Sequence, residues 1–434
     1  MPPSNPAPEP DRATPSDELP GPLETLRVLE IGDRGEVAGK LLADAGADVI
    51  RIEPPGGGRS RHVGPFVNDD PGQPSLLHAT RNTSKRAVTL DVTQPAGLEL
   101  WQRLIGRVDV VIDATPPTFL DGLGGGWQWA AAQPDLHACV WCSITPFGRS
   151  GPRRDWAAND LVQLALGGPM MSNGYDDHHL PPIRPDGEHS IAISNEYAVA
   201  GLLAALWMRN AGHRGQLVDV SIHEAVSATT EGAFPNWEYL GRLVQRQTGR
   251  HASPDPSAPW QYLAADDQYI CLISGGLPRG APAWSGLLDW MDEHDAAGDL
   301  HDPQWQELLH RDPRAHPEAR LHVAETIGAF AQRLPADEVY RRSQSLHFAW
   351  GIVRRPEENL DDPHWADRGF FWEGECPGVD HPVRYPGAPY RFTRSPIRLR
   401  RRPPLLGEHN HEVYVGELGL SSAELRAHLE TGVV

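Results

Sequence analysis

The stretch "RVLEIGDRGEVAGKLLADAGADVIRIE", residues 27–53, decides the fold. Its ends, "RVLEI" and "ADVIRIE", read as strands, and "EVAGKLLADAG" between them sets apolar side chains at helical spacing. Strand, helix and strand joined by short turns make a βαβ unit, whose right-handed crossover leaves the two strands parallel neighbours. "AVTLDV", "VDVVIDA", "ACVWCSIT" and "GQLVDVSI" extend the series, with "PAGLELWQRLIG" as an intervening helix. The expected class is α/β: a large domain with an open, mostly parallel sheet, and a smaller α+β domain. Such sheets bind ligands beyond the carboxyl ends of their strands, here the loops after Ile31, Glu53 and Ala114.

The 434 residues carry a formal net charge of −19, with 39% hydrophobic and 22% charged side chains. That charge argues against wholesale binding to nucleic acid or an anionic membrane, so a phosphate-bearing ligand needs a local basic patch. No signal peptide is read, and no apolar run approaches the ~20 residues of a membrane span. Four cysteines are too few for a disulfide framework, which makes the cytoplasm the default location. Cys139 and Cys142 are spaced like a metal or redox pair, but residues i and i+3 of a strand face opposite ways, so no metal is expected there. His409 and His411 in "GEHNHE" read as structural.

The boundaries read as a disordered Pro-rich tail over 1–22, the large domain over 23–231, the smaller domain over 232–385, and a C-terminal segment, 386–434, returning to the large domain. The central helix "NEYAVAGLLAALWM" is apolar around most of its circumference and reads as packed on all sides. "LSSAELRAHLETG" opens with a capping box, Ser421 and Glu424. No GxGxxG or GxxxxGK[ST] fingerprint occurs, so neither a nicotinamide nor a nucleoside-triphosphate assignment follows. The loop "PPGGGRSRH" joins flexible backbone to Arg59 and Arg61, with Arg51 nearby, and reads equally as a phosphate-facing or a solvated loop.

Several stretches, in order from about residue 25 to the end, resemble the family III CoA-transferases, a group that includes formyl-CoA and carnitine CoA-transferases and α-methylacyl-CoA racemases. They are "LLADAGADVIRIEPP", "SKRAVTLDV", "SITPFGRSGP", "NDLVQLALGG", "LLAALWMR", "RGQLVDVSIHEA", "GIVRRPEENLDDPHWADRGFF" and "PPLLGEHNHEVYVGELGLSSAEL". The resemblance implies an interlocked dimer whose Rossmann-like domain receives CoA, with acyl-CoA and a carboxylic acid as substrates. It also implies covalent catalysis by an aspartate just before the central helix. Counting back from "LLAAL" and on from "PPIRP", that position is Ile191, which cannot attack a thioester. The CoA-facing loop appears as "ATPPTFLDGLG", with Ala114, Thr115 and Gly122 at its contacting places, and Thr93 stands where a lysine is expected.

The catalytic candidates are therefore Asp160 and Glu196. Asp160 in "NDLVQLALGG" matches the racemases' acid/base aspartate, with Asn159 in place of their histidine; as a bland alternative it caps the helix that follows. Glu196 lies five residues past Ile191, while Asp186 and Glu188 precede it. Arg51, Lys85 and Arg86, together with Leu90, are the candidate CoA contacts, through charge-assisted hydrogen bonds to phosphate in the case of the three cations. Three functions stay open. One is CoA transfer between an acyl-CoA and a carboxylic acid; another is acyl-CoA isomerisation through Asp160; the third is a catalytically silent subunit or binding protein. A homodimer is expected, or a heterodimer with an active paralogue.

Overall fold

The computed structural model describes residues 19–230, 232–272, 281–309 and 316–434. Residues 1–18, most of the Pro-rich tail, lie outside the described residues. The chain divides into two compact units. One comprises residues up to 163 with 186–226 and 364–434, and the other comprises 164–185 with 227–363. The first unit thus regains the chain at 364, earlier than the 386 read from sequence, and 164–185 groups with the second.

In the first unit, β1 (Arg27–Ile31), β2 (Asp48–Glu53), β3 (Arg86–Thr89), β4 (Val110–Asp113), β5 (Val140–Thr145) and β6 (Leu217–Ser221) form one sheet in the order β3-β2-β1-β4-β5-β6. Every neighbouring pair is parallel. The strand order reverses between β1 and β4, so a crevice opens beyond their carboxyl ends. Helices in or starting in this unit include α1 (Glu36–Asp44), α2 (Leu76–Arg81), α3 (Pro95–Ile105), the short α4 (Phe119–Leu123) and α5 (Trp127–Ala132), α6 (Asp160–Gly167) and α7 (His189–Asn210). Within "EVAGKLL", α1 approaches the sheet so closely that a Cβ on Gly39 would lie 1.6 Å from Glu30 Oε2. Only glycine fits there.

One core cluster joins Leu29, Ile50, Val88, Trp101 and Trp141 to Val413, Tyr414, Leu425 and Val434 of the C-terminal segment. Tyr414 Oη donates to Thr89 O at 2.8 Å, tying that segment to the edge of the sheet. The Ser421 capping box forms in both directions, with Glu424 N donating to Ser421 Oγ at 3.2 Å and Ser421 N donating to Glu424 Oε2 at 2.7 Å. His409 is structural as well, since its Nδ1 accepts from Ala87 N.

The 22-residue α7 is long and apolar enough by composition to cross a bilayer, but its Ser190, Ser194, Asn195, Ala198, Leu202 and Leu206 are buried. Its neighbours are α1, β5 and β6. It is not packed on all sides, however. Tyr197 and Leu203 are exposed, and Trp207 is 77% exposed. In the second unit, strands Gln261–Leu263, Tyr269–Leu272 and Trp350–Ile352 form an antiparallel sheet. Trp284, Trp290, Ile327, Phe330 and Trp350 supply its own core.

Candidate active site

At the carboxyl edge of the six-stranded sheet a cleft encloses about 690 Å³ of open space, mouth included, within the range of small-molecule sites. All its lining residues belong to the first unit. Asp33, Arg34 and Glu36 come from the turn after β1 and the start of α1, and Arg59 and Ser60 from the loop after β2. Arg81 ends α2, Asp160 and Gln163 belong to α6, and Glu188, Ser190 and Ile191 form the start of α7.

The start of α7 is held by one buried side chain. Asn195 Oδ1 accepts from Ala38 N at 2.8 Å, while its Nδ2 donates to Arg34 O at 2.7 Å and to Ile191 O at 2.8 Å. This staple joins the first two turns of α7 to the turn entering α1 and fixes Ile191 in the cleft wall. Ile191 N and Ala192 N both donate to the carbonyl of Glu188, the cap residue, at 3.1 Å.

Asp160 lines the cleft, is 7% exposed, and accepts from Ser190 N at 2.9 Å. Its carboxylate thus serves the positive end of α7. The α6 helix is capped instead by Asn159, whose Oδ1 accepts from Val162 N at 3.0 Å. Glu196 is exposed on the second turn of α7 and does not line the cleft, so the structure does not bring it to Asp160.

The cations selected from sequence are turned inward. Arg51, 1% exposed, meets Glu30 at 2.7 Å, Asp33 at 2.6 Å and Glu36 at 2.8 Å. Burial works against its charge, and the surrounding carboxylates outweigh that and hold it protonated. Lys85, fully buried, donates to Glu30 Oε2 and Glu36 O at 2.8 Å and to Asn82 Oδ1 at 2.9 Å. Arg86 binds Asp48, Glu412 and Glu417. Leu90 is in the core. Acids on the adjoining strands and turns neutralise the three cations, the core takes up Leu90, and none of these four residues lines the cleft.

Arg61 completes this buried network with two 2.7 Å contacts to Glu53. Burial favours the neutral Glu53 acid, but hydrogen bonds and charge from Arg61, with Arg51 and the Gly58 amide, hold its carboxyl down at about 2. His78 Nδ1 is 2.8 Å from Ser60 Oγ, whose hydroxyl also meets Glu36 Oε1. Burial first, and then the Arg61 and Arg51 cations, push the His78 ring down to about 2, so it is neutral.

Different cations face the cleft. Arg34 and Arg59 make no side-chain ion pair among the described residues, and burial together with the Arg59 cation pulls Arg34 below its usual value. An anion between them would relieve that imbalance. Arg81 pairs with Glu188 at 2.6 Å. Three buried acceptors or donors in the wall, Glu36 Oε2, Gln163 Oε1 and Ser190 Oγ, make no hydrogen bond among the described residues. The sequence reading passed over Arg34 and Arg81, although Arg34 sits in the very turn after β1 where ligands gather in such sheets.

An α/β sheet with a cleft bearing arginines at its carboxyl edge defines a broad class of ligand-binding and transfer proteins. Within it the assignment is specific: the CoA-transferase family III profile matches residues 23–410, and the chain belongs to that family. It is 30% identical over 416 residues to the succinyl-CoA:(R)-benzylsuccinate CoA-transferase subunit BbsE of Thauera aromatica, covering 94% of this chain and 97% of that protein. It is also 30% identical over 439 residues to the formyl-CoA:oxalate CoA-transferase of Streptomyces coelicolor, covering 95% and 99%. A crystal structure of a CAIB/BAIF family protein from Brucella suis superposes with a TM-score of 0.74 at 24% identity, covering 94% of this chain and 100% of that one. This likeness supports the fold.

Proposed function

We propose that the chain transfers CoA between an acyl-CoA thioester and a carboxylic acid at the cleft of the first unit, and that the acid carries a second anionic group. The observation that carries this reading is the pair Arg34 and Arg59, two cations lining the cleft without ion-pair partners among the described residues. Both relatives described above are named for acids with two carboxylates, benzylsuccinate and oxalate. A guanidinium grips a carboxylate bidentately, so two of them suit the remote carboxylate of such an acid or the phosphates of CoA. Exposed Tyr197, Leu203 and Trp207 on α7 favour a dimer in which a partner covers that face. Titration calorimetry with CoA and with succinate tests the reading. We expect saturable binding of both, weakened at least tenfold for succinate by Arg34→Ala with Arg59→Ala. Heat of dilution alone at millimolar ligand would overturn it.

A second reading rests on Ile191: a subunit that keeps the cleft but leaves covalent chemistry to a partner chain. The Thauera relative is itself named as a subunit. Purified chain that binds CoA yet never exchanges it, in any acyl-CoA and acid pair, favours this reading over the first.

A further inference from the structure

Four carboxylates line the cleft: Asp33, Glu36, Asp160 and Glu188. Three are committed elsewhere. Asp33 and Glu36 are bound to buried Arg51, and Glu36 is itself fully buried. Asp160 serves the Ser190 amide. Glu188 differs, because its side chain is 38% exposed while still lining the cleft, and its ion-pair partner among the described residues, Arg81, lines the same cleft.

Glu188 also stands one turn before Ile191. The backbone of this cap residue is not helical, but the Ile191 amide donates to its carbonyl at 3.1 Å, so the two residues are separated by three residues of rise, about 4.5 Å. A glutamate is one methylene longer than an aspartate, which recovers part of that distance. We infer that Glu188 is the covalent carboxylate of this protein, doing from the cap position of α7 what Ile191 cannot do one turn later. This inference rests on the CoA-transfer reading above.

The chemistry balances without a redox partner or a net proton. A Glu188 carboxylate oxygen attacks the thioester carbonyl carbon, the C–S bond breaks, and CoA leaves as the thiolate. The thiolate then attacks the glutamyl carbonyl of the resulting anhydride and releases the first acid as its carboxylate. The acceptor carboxylate attacks the glutamyl thioester, and the returning thiolate takes the new acyl group and restores Glu188. Arg81 has a defined part in this sequence. Its guanidinium pairs with the Glu188 carboxylate beforehand, and once acylation removes that charge it is available to hold the carboxylate of the departing or incoming acid.

The test incubates full-length protein with succinyl-CoA, traps with hydroxylamine or borohydride, and maps the modified residue by peptide mass spectrometry. Modification at Glu188 is expected. Glu188→Gln should lose the adduct and reduce exchange by at least about a hundredfold with unchanged circular dichroism. Adding Ile191→Asp to Glu188→Gln should restore trapping at position 191. An adduct on any other residue, or exchange without any adduct, overturns the inference and leaves the CoA-transfer reading standing. Neither exchange nor adduct overturns both.

Discussion

Arg51 separates a structural charge from a ligand contact, and replacing it with methionine tests which it is. The buried cluster at the ends of β1, β2 and β3 sets three cations, Arg51, Arg61 and Lys85, against four acids, Glu30, Asp33, Glu36 and Glu53. Arg51→Met leaves four acids facing two cations, with Glu30 and Glu36 still fully buried. Removing one partner from a buried ion pair costs about 3–5 kcal/mol, a large share of the about 5–15 kcal/mol that holds a domain folded. Urea unfolding followed by tryptophan fluorescence should show a loss of that size. It should also show that whatever protein remains folded binds CoA normally. If Arg51 instead met a phosphate, as the sequence reading had it, the variant would fold within about 0.5 kcal/mol of the parent and lose CoA affinity. That outcome would refute the reasoning.

The remaining predictions concern protons, caps and packing. His78 is neutral when folded, at about 2, and near 6.5 when unfolded, so the unfolded chain binds the extra proton between these values and stability falls as pH drops below 6.5. Between pH 7 and pH 5 this contribution is about 2 kcal/mol; the stability difference between the parent and His78→Gln, measured across that window, should change by this amount, and a pH-independent difference would contradict the assignment. Asp160→Asn keeps an acceptor for the Ser190 amide and should preserve CoA exchange within a few-fold, whereas Asp160→Ala should destabilise by about 0.5–2 kcal/mol. Deuterium entering the α-carbon of a 2-methylacyl-CoA in the parent but not in Asp160→Asn would instead restore an acid/base role for Asp160. Gly39→Ala should lower the yield of folded protein, because its methyl meets Glu30; normal thermal stability would disprove that packing.

The βαβ series was legible because strand alternation and helical spacing are local properties: five of the six strands lie within a stretch that reads as one, and β3 starts one residue before its stretch. The position of Ile191 in the cleft could be placed by counting along "LLAAL". What could not be read was the orientation of the charges. Arg51, Lys85 and Arg86 look like Arg34, Arg59 and Arg81 in a sequence, and only the three-dimensional arrangement of Glu30, Glu36, Asp48 and Glu53 consumes the first set and spares two members of the second. Asp160 reads in the sequence as an acid/base candidate or, alternatively, a cap for its own helix; its contact with the Ser190 amide, 30 residues away, is not a local property and could not be read. The second unit was harder still. Its strands are three or four residues long and its boundaries depend on the distant segment 164–185.

The central claim is that this chain passes CoA from a thioester to a free acid in its own cleft. The most direct measurement is isotope exchange with the purified chain alone: unlabelled succinyl-CoA, radiolabelled succinate, and chromatographic counting of the thioester. Label should enter succinyl-CoA at a rate proportional to enzyme, at least about a hundredfold more slowly in Glu188→Gln and much more slowly in Arg34→Ala with Arg59→Ala. Folded protein that leaves all label in the free acid would contradict that claim.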